Sequence, residues 1–205
     1  MIGIINYGSG NVHAIANLYK RLDIPHFVSE DHEELRKARK LILPGVGAFD
    51  ETMQKLNRSG LKDLLDELVL EKNTPVMGVC VGMQIMAESS EEGILPGFGW
   101  IKGHVRKIDV SLLKQKPHLP HMGWNSVQPT GNAALLQDID CEKGFYFLHS
   151  FYFECQSESD VVATSLYGKS FACIVQNRNV LGVQFHPEKS HMNGIQLFKN
   201  YANLP

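Results

Sequence analysis

The sequence predicts an α/β protein whose sheet is parallel in the first half of the chain and mixed overall. In the first half, short apolar segments alternate with segments whose apolar residues recur at helical spacing. Such alternation is typical of parallel strands with helices on the faces of the sheet. Beyond residue 98, β-branched and aromatic segments follow one another between Gly, Asn and Asp turns, which favours further strands. Because no Pro/Gly/Ser-rich linker interrupts the pattern, we expect a single domain over residues 1–205.

The elements of the first half follow from apolar runs and their spacing. Predicted strands cover 2–7, 25–30, 41–44 and 75–79. Asn11 is a candidate cap for a first helix, which the apolar residues Val12, Ile15, Tyr19 and Leu22 mark at helical spacing. A polar helix is predicted over 31–40, a leucine-patterned helix around 61–68 and a further helix over 81–88.

The second half is predicted to be mostly strands, followed by one closing helix. The strand segments are 100–108, 124–129, 145–154, 160–167, 171–177 and 180–186. The closing helix covers 194–204, where Ile195, Phe198 and Tyr201 form one stripe.

Composition excludes several classes of protein. Among 205 residues, 43% are hydrophobic and 20% charged, as in ordinary globular domains. The formal net charge of -2 provides no basic field for nucleic acid or an anionic membrane, and no apolar run approaches the ~20 residues of a membrane span. The N-terminus predicts a strand, without the basic region of a signal peptide. Four cysteines without CxxC spacing suggest free thiols and a cytoplasmic location, and no motif suggests a metal or an organic cofactor.

The segment GVCVGMQ (78–84) places a cysteine where a buried strand meets a helix. Gly78-x-Cys80-x-Gly82 matches a nucleophile elbow with Cys in place of Ser, and the flanking glycines leave room for the sharp turn. Such a turn lifts the sulfur above the sheet edge, close to the first N–H groups of the helix, which favour the thiolate. A structural cysteine buried between packing glycines is the alternative.

A nucleophilic thiol needs a base, and VQFHPEKS (183–190) contains the best candidate. His186 lies at the end of an apolar strand, and in extended backbone Glu188 would point to the same side and orient the imidazole. A surface His–Glu pair remains an alternative. A zinc site of the deaminase type would also need a P-C-x-x-C segment, which is absent.

The segment LPGVGAF (43–49) follows a strand with two glycines in a short loop. Its backbone N–H groups are candidates for an oxyanion site, with the N–H of Val81 as a second donor. A plain strand-to-helix turn is the alternative.

Five segments, PGVGAF, GVCVGMQ, PHMGWN, YFLHSFY and GVQFHPEKS, occur in the order and spacing typical of class I (triad) glutamine amidotransferases. The chain resembles this family over essentially its whole length, and within it the branch of imidazole glycerol phosphate synthase glutaminases. The resemblance implies a flavodoxin-like fold and the hydrolysis of L-glutamine to glutamate and ammonia. It also implies a synthase (cyclase) partner, a (β/α)₈ barrel, that uses the ammonia in histidine biosynthesis.

The resemblance also implies roles for individual residues. Cys80 would form a γ-glutamyl thioester, His186 would relay protons, and Glu188 would hold His186. Backbone N–H groups of Val46 and Val81 would stabilise the oxyanion, after a flip of the glycine-rich strand. The remaining implied residues contact glutamine, namely Gly47, Gln84, Glu92 and the backbone of His149, Ser150 and Phe151, or face the synthase, namely Asn11, Trp124 and Lys189.

Two departures from the family pattern bear on these roles. Phe151 stands where the family usually has Tyr and so lacks a hydroxyl group. PGFGWIKG (96–103) resembles a paralogous branch that supplies ammonia to an enzyme amidating surface-polysaccharide sugars.

Three rival hypotheses remain at the level of sequence. A stand-alone cysteine hydrolase would share the elbow and the histidine. A nucleotide-binding or redox-sensing module would use GSGN (8–11), although the third glycine of the dinucleotide fingerprint is missing. A degenerate glutaminase kept as a scaffold is disfavoured, because all three triad positions are filled.

Overall fold

The computed structural model describes residues 1–113, 116, 118–131 and 133–205. Its first half alternates strands and helices. The strands are β1 (Ile2–Ile5), β2 (His26–Ser29), β3 (Lys40–Gly45) and β4 (Val76–Cys80). The helices are α1 (Val12–Arg21), α2 (His32–Leu35), α3 (Phe49–Ser59), α4 (Leu61–Asp66), which continues as a π-helical turn over Glu67–Glu71, and α5 (Val81–Gln84).

The second half is mostly strands, as the sequence predicts. They are β5 (Ser89–Ser90), β6 (Gly103–Lys107), β7 (His121–Asn125), β8 (Gln128–Pro129), β9 (Phe145–His149), β10 (Phe151–Cys155), β11 (Val161–Tyr167), β12 (Lys169–Asn177) and β13 (Val180–Val183). The chain then forms a closing helix, α6 (His191–Asn203).

Within the described residues, eleven strands form one mixed sheet. The order is β2-β1-β3-β4-β13-β12-β10-β6-β5, with β11 paired to β12 and β8, while β7 and β9 form a separate antiparallel pair. Neighbouring strands in the part of this order that runs β2-β1-β3-β4-β13 are parallel. The next strand, β12, is antiparallel to β13. The predicted fold class is thus confirmed.

One pairing determines where the site forms. β13 lies parallel to β4, with Val183 opposite Val79. The segments that follow these strands therefore leave the sheet at the same edge, although about a hundred residues separate them in sequence. Both strands are buried along their whole length, as expected for central parallel strands.

The helices depart from the sequence predictions in extent and in number. The predicted helix 31–40 is too long, because α2 ends at Leu35 and Lys40 already belongs to β3. Helix α5 ends at Gln84, well before residue 88. Helix α3 was not predicted, although its buried residues Phe49, Thr52, Met53 and Leu56 have helical spacing.

The closing helix and the first helix pack together through the residues that the patterns identified. The rings of Tyr19 and Phe198 are 5.3 Å apart in an edge-to-face arrangement, and both side chains are buried. Asn11 occupies the N-cap position of α1, as predicted, but its side chain makes no capping hydrogen bond. In the part of the chain that is described, no helix combines the length and apolar character that a membrane crossing requires.

Candidate active site

A cavity of about 380 Å³ lies where β3, β4 and β13 end. It brings together most of the site residues predicted from sequence, namely Val46, Gly47, Cys80, Val81, Gln84, Glu92, His149, Ser150, Phe151, His186 and Lys189. The cavity is also lined by Pro120 and Leu148, for which the sequence predicted no role.

Cys80 forms a strained elbow between β4 and α5. Its φ of 56° and ψ of -115° are unusual for a residue with a side chain. The turn needs glycine on both sides, because a Cβ at Gly82 would lie 1.9 Å from the carbonyl oxygen of Leu43, and one at Gly78 would lie 2.5 Å from that of Gly82. Because α5 is a single turn, it lacks the dipole of a longer helix, and the side chain of Cys80 makes no capping hydrogen bond with its first N–H groups.

His186 and Glu188 form a buried pair. The imidazole Nδ1 lies 2.9 Å from Oε1 of Glu188, and the two side chains are 3% and 2% exposed. The predicted extended geometry was wrong: β13 ends at Val183, and Pro187–Lys189 form a 3₁₀ turn that brings the carboxylate back to the ring. With Nδ1 held by Glu188, Nε2 is the nitrogen left for proton transfer.

The charge state of His186 follows from its neighbours. Burial disfavours the imidazolium, but hydrogen-bond and charge interactions with Cys80 and Glu188 outweigh it and raise the pKa of His186 to about 10. The arrangement therefore supports a protonated imidazole beside the cysteine at neutral pH.

Only one of the two predicted oxyanion donors is available in this conformation. Val81 is the first residue of α5, so its N–H has no partner within the helix. The N–H of Val46 donates instead to the hydroxyl of Ser9, at 3.1 Å. For Val46 to serve an oxyanion, the peptide unit between Gly45 and Val46 has to rotate.

The residues predicted to contact glutamine are partly engaged with one another. Nε2 of Gln84 donates to the carbonyl oxygens of Phe151, at 2.9 Å, and of the Gln184 side chain, at 3.0 Å. This leaves Oε1 of Gln84 as the polar atom that a ligand can use. Glu92 uses Oε2 to accept from the N–H of Phe49 at 2.8 Å, which leaves its other carboxylate oxygen for the cavity.

The residues predicted to face a partner lie on the surface. Asn11 and Lys189 are exposed, and Trp124 is 41% exposed on β7. Trp124 stacks on His191 with ring centroids 5.6 Å apart, and the neighbouring Met122 is exposed as well. Of these three predicted contacts, only Lys189 also reaches the cavity.

Two residues that the sequence analysis did not single out contact the predicted site. The hydroxyl of Ser9 bonds to both backbone groups of Val46, and the buried side-chain amide of Gln184 lies 3.9 Å from the Cys80 sulfur. Gln184 immediately precedes the apolar-His segment, but a glutamine after a strand carries no distinguishing pattern. In the described residues, no group of three His, Cys, Asp or Glu side chains has the arrangement of a metal site.

The comparisons with known proteins agree with this geometry. The family model for class-I glutamine amidotransferases matches residues 4–202. The chain belongs to the class I glutamine amidotransferase family. This match covers nearly the whole chain and includes all the segments on which the resemblance was based.

Relatives of this glutamine amidotransferase are similar over their full length. The chain is 51% identical over 204 residues to "Imidazole glycerol phosphate synthase subunit HisH" of Bdellovibrio bacteriovorus, with each chain fully covered. It is 47% identical to the protein of the same name from Leptospira borgpetersenii, again with both chains fully covered.

Solved structures support the fold of this glutamine amidotransferase. A crystal structure described as a glutamine amidotransferase aligns with a TM-score of 0.70 at 20% identity, covering 99% of this chain and 99% of that one. A chain of PurLQS from Thermotoga maritima aligns with a TM-score of 0.68 at 18% identity, covering 98% of this chain and 97% of that one.

Proposed function

We propose that this chain is the glutaminase subunit of an imidazole glycerol phosphate synthase. One observation carries the proposal: the elbow cysteine, His186, whose Nδ1 is held by Glu188, and the residues expected to hold glutamine share one cavity. The names of the full-length relatives support the same branch and do not favour the sugar-amidating branch. We take residues 1–205 as one glutaminase domain, which the family match over 4–202 supports.

The first half of the reaction uses Cys80 and His186. The thiolate attacks the side-chain amide carbon of glutamine, forms the C–S bond and moves the carbonyl electron pair onto oxygen. The imidazolium of His186 then gives its proton to the amide nitrogen, which leaves as ammonia when the C–N bond breaks. The raised pKa of His186, about 10, keeps this proton available at neutral pH.

The second half returns the enzyme to its starting state. Neutral His186 takes a proton from water, and the hydroxyl group attacks the thioester carbon. Breaking the C–S bond releases glutamate and restores the thiolate beside the imidazolium. Glu188 holds Nδ1 throughout, so the reacting nitrogen stays directed at the cavity.

Glutamine binding and oxyanion stabilisation involve the remaining residues of the cavity. Oε1 of Gln84 and the free oxygen of Glu92 suit the amino group of the substrate, and Gly47 and the backbone of 149–151 suit its carboxylate end. If glutamine is held through backbone atoms, Phe151 loses nothing by lacking a hydroxyl group. Val81 stabilises the oxyanion with its N–H, joined by Val46 once its peptide has rotated.

A synthase (cyclase) subunit, in our proposal a (β/α)₈ barrel, receives the ammonia. In water at neutral pH, ammonia is mostly protonated and no longer a nucleophile, so delivery through a sealed interface keeps it reactive. Asn11, Trp124 and Lys189 would contact that partner. The four free cysteines favour the cytoplasm as the location of the complex.

The test uses the chain together with the synthase subunit that co-purifies with it from the native cell. Cys80→Ala should abolish glutamine-dependent formation of imidazole glycerol phosphate but leave formation from added ammonium salts, because the partner performs that step. Cys155→Ala, outside the cavity, is the control and should leave both activities unchanged. Glutamine-dependent synthesis that survives Cys80→Ala, or isolation of a sugar-amidating partner, would refute the proposal.

A further inference from the structure

We propose that the side-chain amide of Gln184 is a dedicated hydrogen-bond donor to the sulfur of Cys80, oriented by a buried chain of amides that begins at the Phe151 carbonyl. The proposal deepens the proposed function and rests on it, since it assigns a further residue to the same reaction. Nε2 of Gln184 lies 3.9 Å from Sγ of Cys80, within reach of a long hydrogen bond to sulfur.

The orientation of the Gln184 amide follows from the groups around it. A backbone carbonyl only accepts hydrogen bonds, so the carbonyl of Phe151 requires the NH₂ group of Gln84 as its donor, at 2.9 Å. The same NH₂ group lies 3.0 Å from Gln184, which must therefore present its oxygen there. The NH₂ group of Gln184 is then left to face the sulfur.

This orientation matters most when the sulfur is ionised. A neutral thiol can donate to the carbonyl of Leu148, which lies 3.9 Å away, but a thiolate has no proton to give that carbonyl. The Gln184 amide is a donor, so its contact becomes stronger as the sulfur gains charge. The Leu148 contact therefore favours the thiol, whereas the Gln184 contact, like the imidazolium of His186, favours the thiolate.

Burial keeps the hydrogen bonds of these two glutamines within the protein. The side chains of Gln184 and Gln84 are 0% and 2% exposed, so water does not compete for their polar atoms. A glutamine in such a place is costly unless both ends of its amide are bonded, and here Gln84 and Cys80 bond them. The chain of amides also joins the nucleophile to Gln84, which lines the same cavity.

The experiment measures the rate of alkylation of Cys80 by iodoacetamide as a function of pH, in the isolated full chain, with the adduct located by mass spectrometry. Gln184→Met keeps the length of the side chain but removes the donor. We expect alkylation near pH 7 to slow roughly tenfold and the midpoint of the pH profile to rise by about one unit. Tyr7 and His186 are titratable groups that interact with Cys80. The other titratable groups of the cavity and its His186 pair are Glu92, His149, Lys189 and Glu188, and all of these groups are unchanged in the variant.

The other thiols contribute little background. Burial raises the pKa of Cys155 to about 12, and burial also raises the pKa values of Cys141 and Cys173. Phe185→Leu is the matched control, because Phe185 is the adjacent residue, is fully buried and has no polar atom. Phe185→Leu should lower the free energy of unfolding without moving the midpoint of the alkylation pH profile.

A second measurement needs no substitution at Gln184. In the unmutated chain, the side-chain ¹⁵N–¹H signals of Gln184 should shift as Cys80 ionises, and the same shift should be absent in Cys80→Ala. The inference is overturned if the midpoint of the alkylation pH profile of Gln184→Met lies within about 0.3 pH units of that of the unmutated chain, or if Phe185→Leu moves the midpoint equally. It is also overturned if the amide signals of Gln184 do not respond to the ionisation of Cys80. Neither readout uses glutamine, so failure to hydrolyse glutamine would refute the proposed function while leaving this result standing.

Discussion

The hydroxyl oxygen of Ser9 lies 3.1 Å from the amide nitrogen of Val46 and the same distance from its carbonyl oxygen. Ser9 is 5% exposed, so water competes little for these bonds. The N–H that a glutaminase would direct at an oxyanion is thus already donated within the protein. If the proposed function holds, this contact should keep glutamine hydrolysis by the isolated chain slow.

Ser9→Ala should raise glutamine hydrolysis by the isolated chain, because the rotated form of the Val46 peptide no longer has to break this contact. A net hydrogen-bond contribution of ~0.5–1.5 kcal/mol corresponds to a rise of about two- to tenfold in kcat. Glutamate release measured without a partner tests this. Ser159→Ala, an exposed serine bonded to Ser157, is the control, and equal basal rates in both variants would count against the role of Ser9.

The two members of the buried pair should differ in importance. His186→Ala removes the group that moves protons, and we expect glutamine-dependent activity to fall by a thousandfold or more. Glu188→Gln keeps an acceptor for Nδ1 but loses the negative charge that favours the imidazolium. Its glutamine-dependent activity should therefore remain at least about tenfold higher than that of His186→Ala. Steady-state kinetics of the complex decide this, and equal losses would argue against separate roles.

A second buried pair should make the protein sensitive to acid. Nδ1 of His149 donates to the Phe151 carbonyl at 2.8 Å, and its Nε2 accepts from Nδ1 of His121 at 2.9 Å. Nε2 of His121 in turn accepts from the side-chain amide of Asn125 at 3.2 Å, so both rings are neutral. Burial lowers the pKa of His121 to about 4, and burial together with His121 lowers that of His149 to about 3. Between about pH 6.5 and these values the unfolded chain binds protons that the folded chain does not, so the free energy of unfolding should fall as pH falls.

Urea unfolding at a series of pH values from about 7 to 5 measures this dependence, with up to ~1.4 kcal/mol lost per pH unit for each histidine. His121→Phe keeps the stacking on Phe147 and Tyr167 but removes one titrating group, so its stability should depend less steeply on pH. His13→Phe, at an exposed position, is the control and should keep the original slope. Identical slopes in all three proteins would show that the buried pair does not titrate as inferred.

The elbow should tolerate no side chain at Gly82. Gly82→Ala would place Cβ 1.9 Å from the carbonyl oxygen of Leu43, so backbone has to move and unfolding should be easier by roughly 3 kcal/mol or more. Gly131→Ala is the matched control, since a Cβ there meets nothing within 4 Å. Denaturant unfolding distinguishes the two, and a Gly82→Ala protein as stable as the control would mean that the turn has room for a methyl group.

Sequence patterns identified most strands and the first and last helices, because their apolar spacing is local. The lengths of the helices near the site were less predictable. Residues 85–88 include good helix formers, yet α5 ends at Gln84. The reason is that the carbonyl oxygens of Ile85 and Ala87 accept hydrogen bonds from the N–H groups of Phe98 and Gly99. Tertiary hydrogen bonds of this kind override local preference.

At the site, the sequence predicted which side chains take part, but the contacts between them depend on the fold. Cys80, His186 and Glu188 stand in recognisable segments, but nothing local indicates that Ser9 meets Val46 or that Gln184 meets Cys80. These contacts join residues 37 and 104 positions apart. They depend on the loops that leave neighbouring strands at one edge of the sheet.

By itself, the sequence determined the family, the alternation of strands and helices, and a cysteine at a glycine-flanked turn, since all of these are written in local spacing and short motifs. The tertiary structure brings His186, the histidine that the sequence selected, to the same sheet edge as that cysteine, because β13 lies parallel to β4 with Val183 opposite Val79. It also decided that the Val46 N–H is occupied and that a buried glutamine amide faces the sulfur. Hydrogen bonds between residues distant in the chain exist only after the sheet has assembled, so no local pattern encodes them.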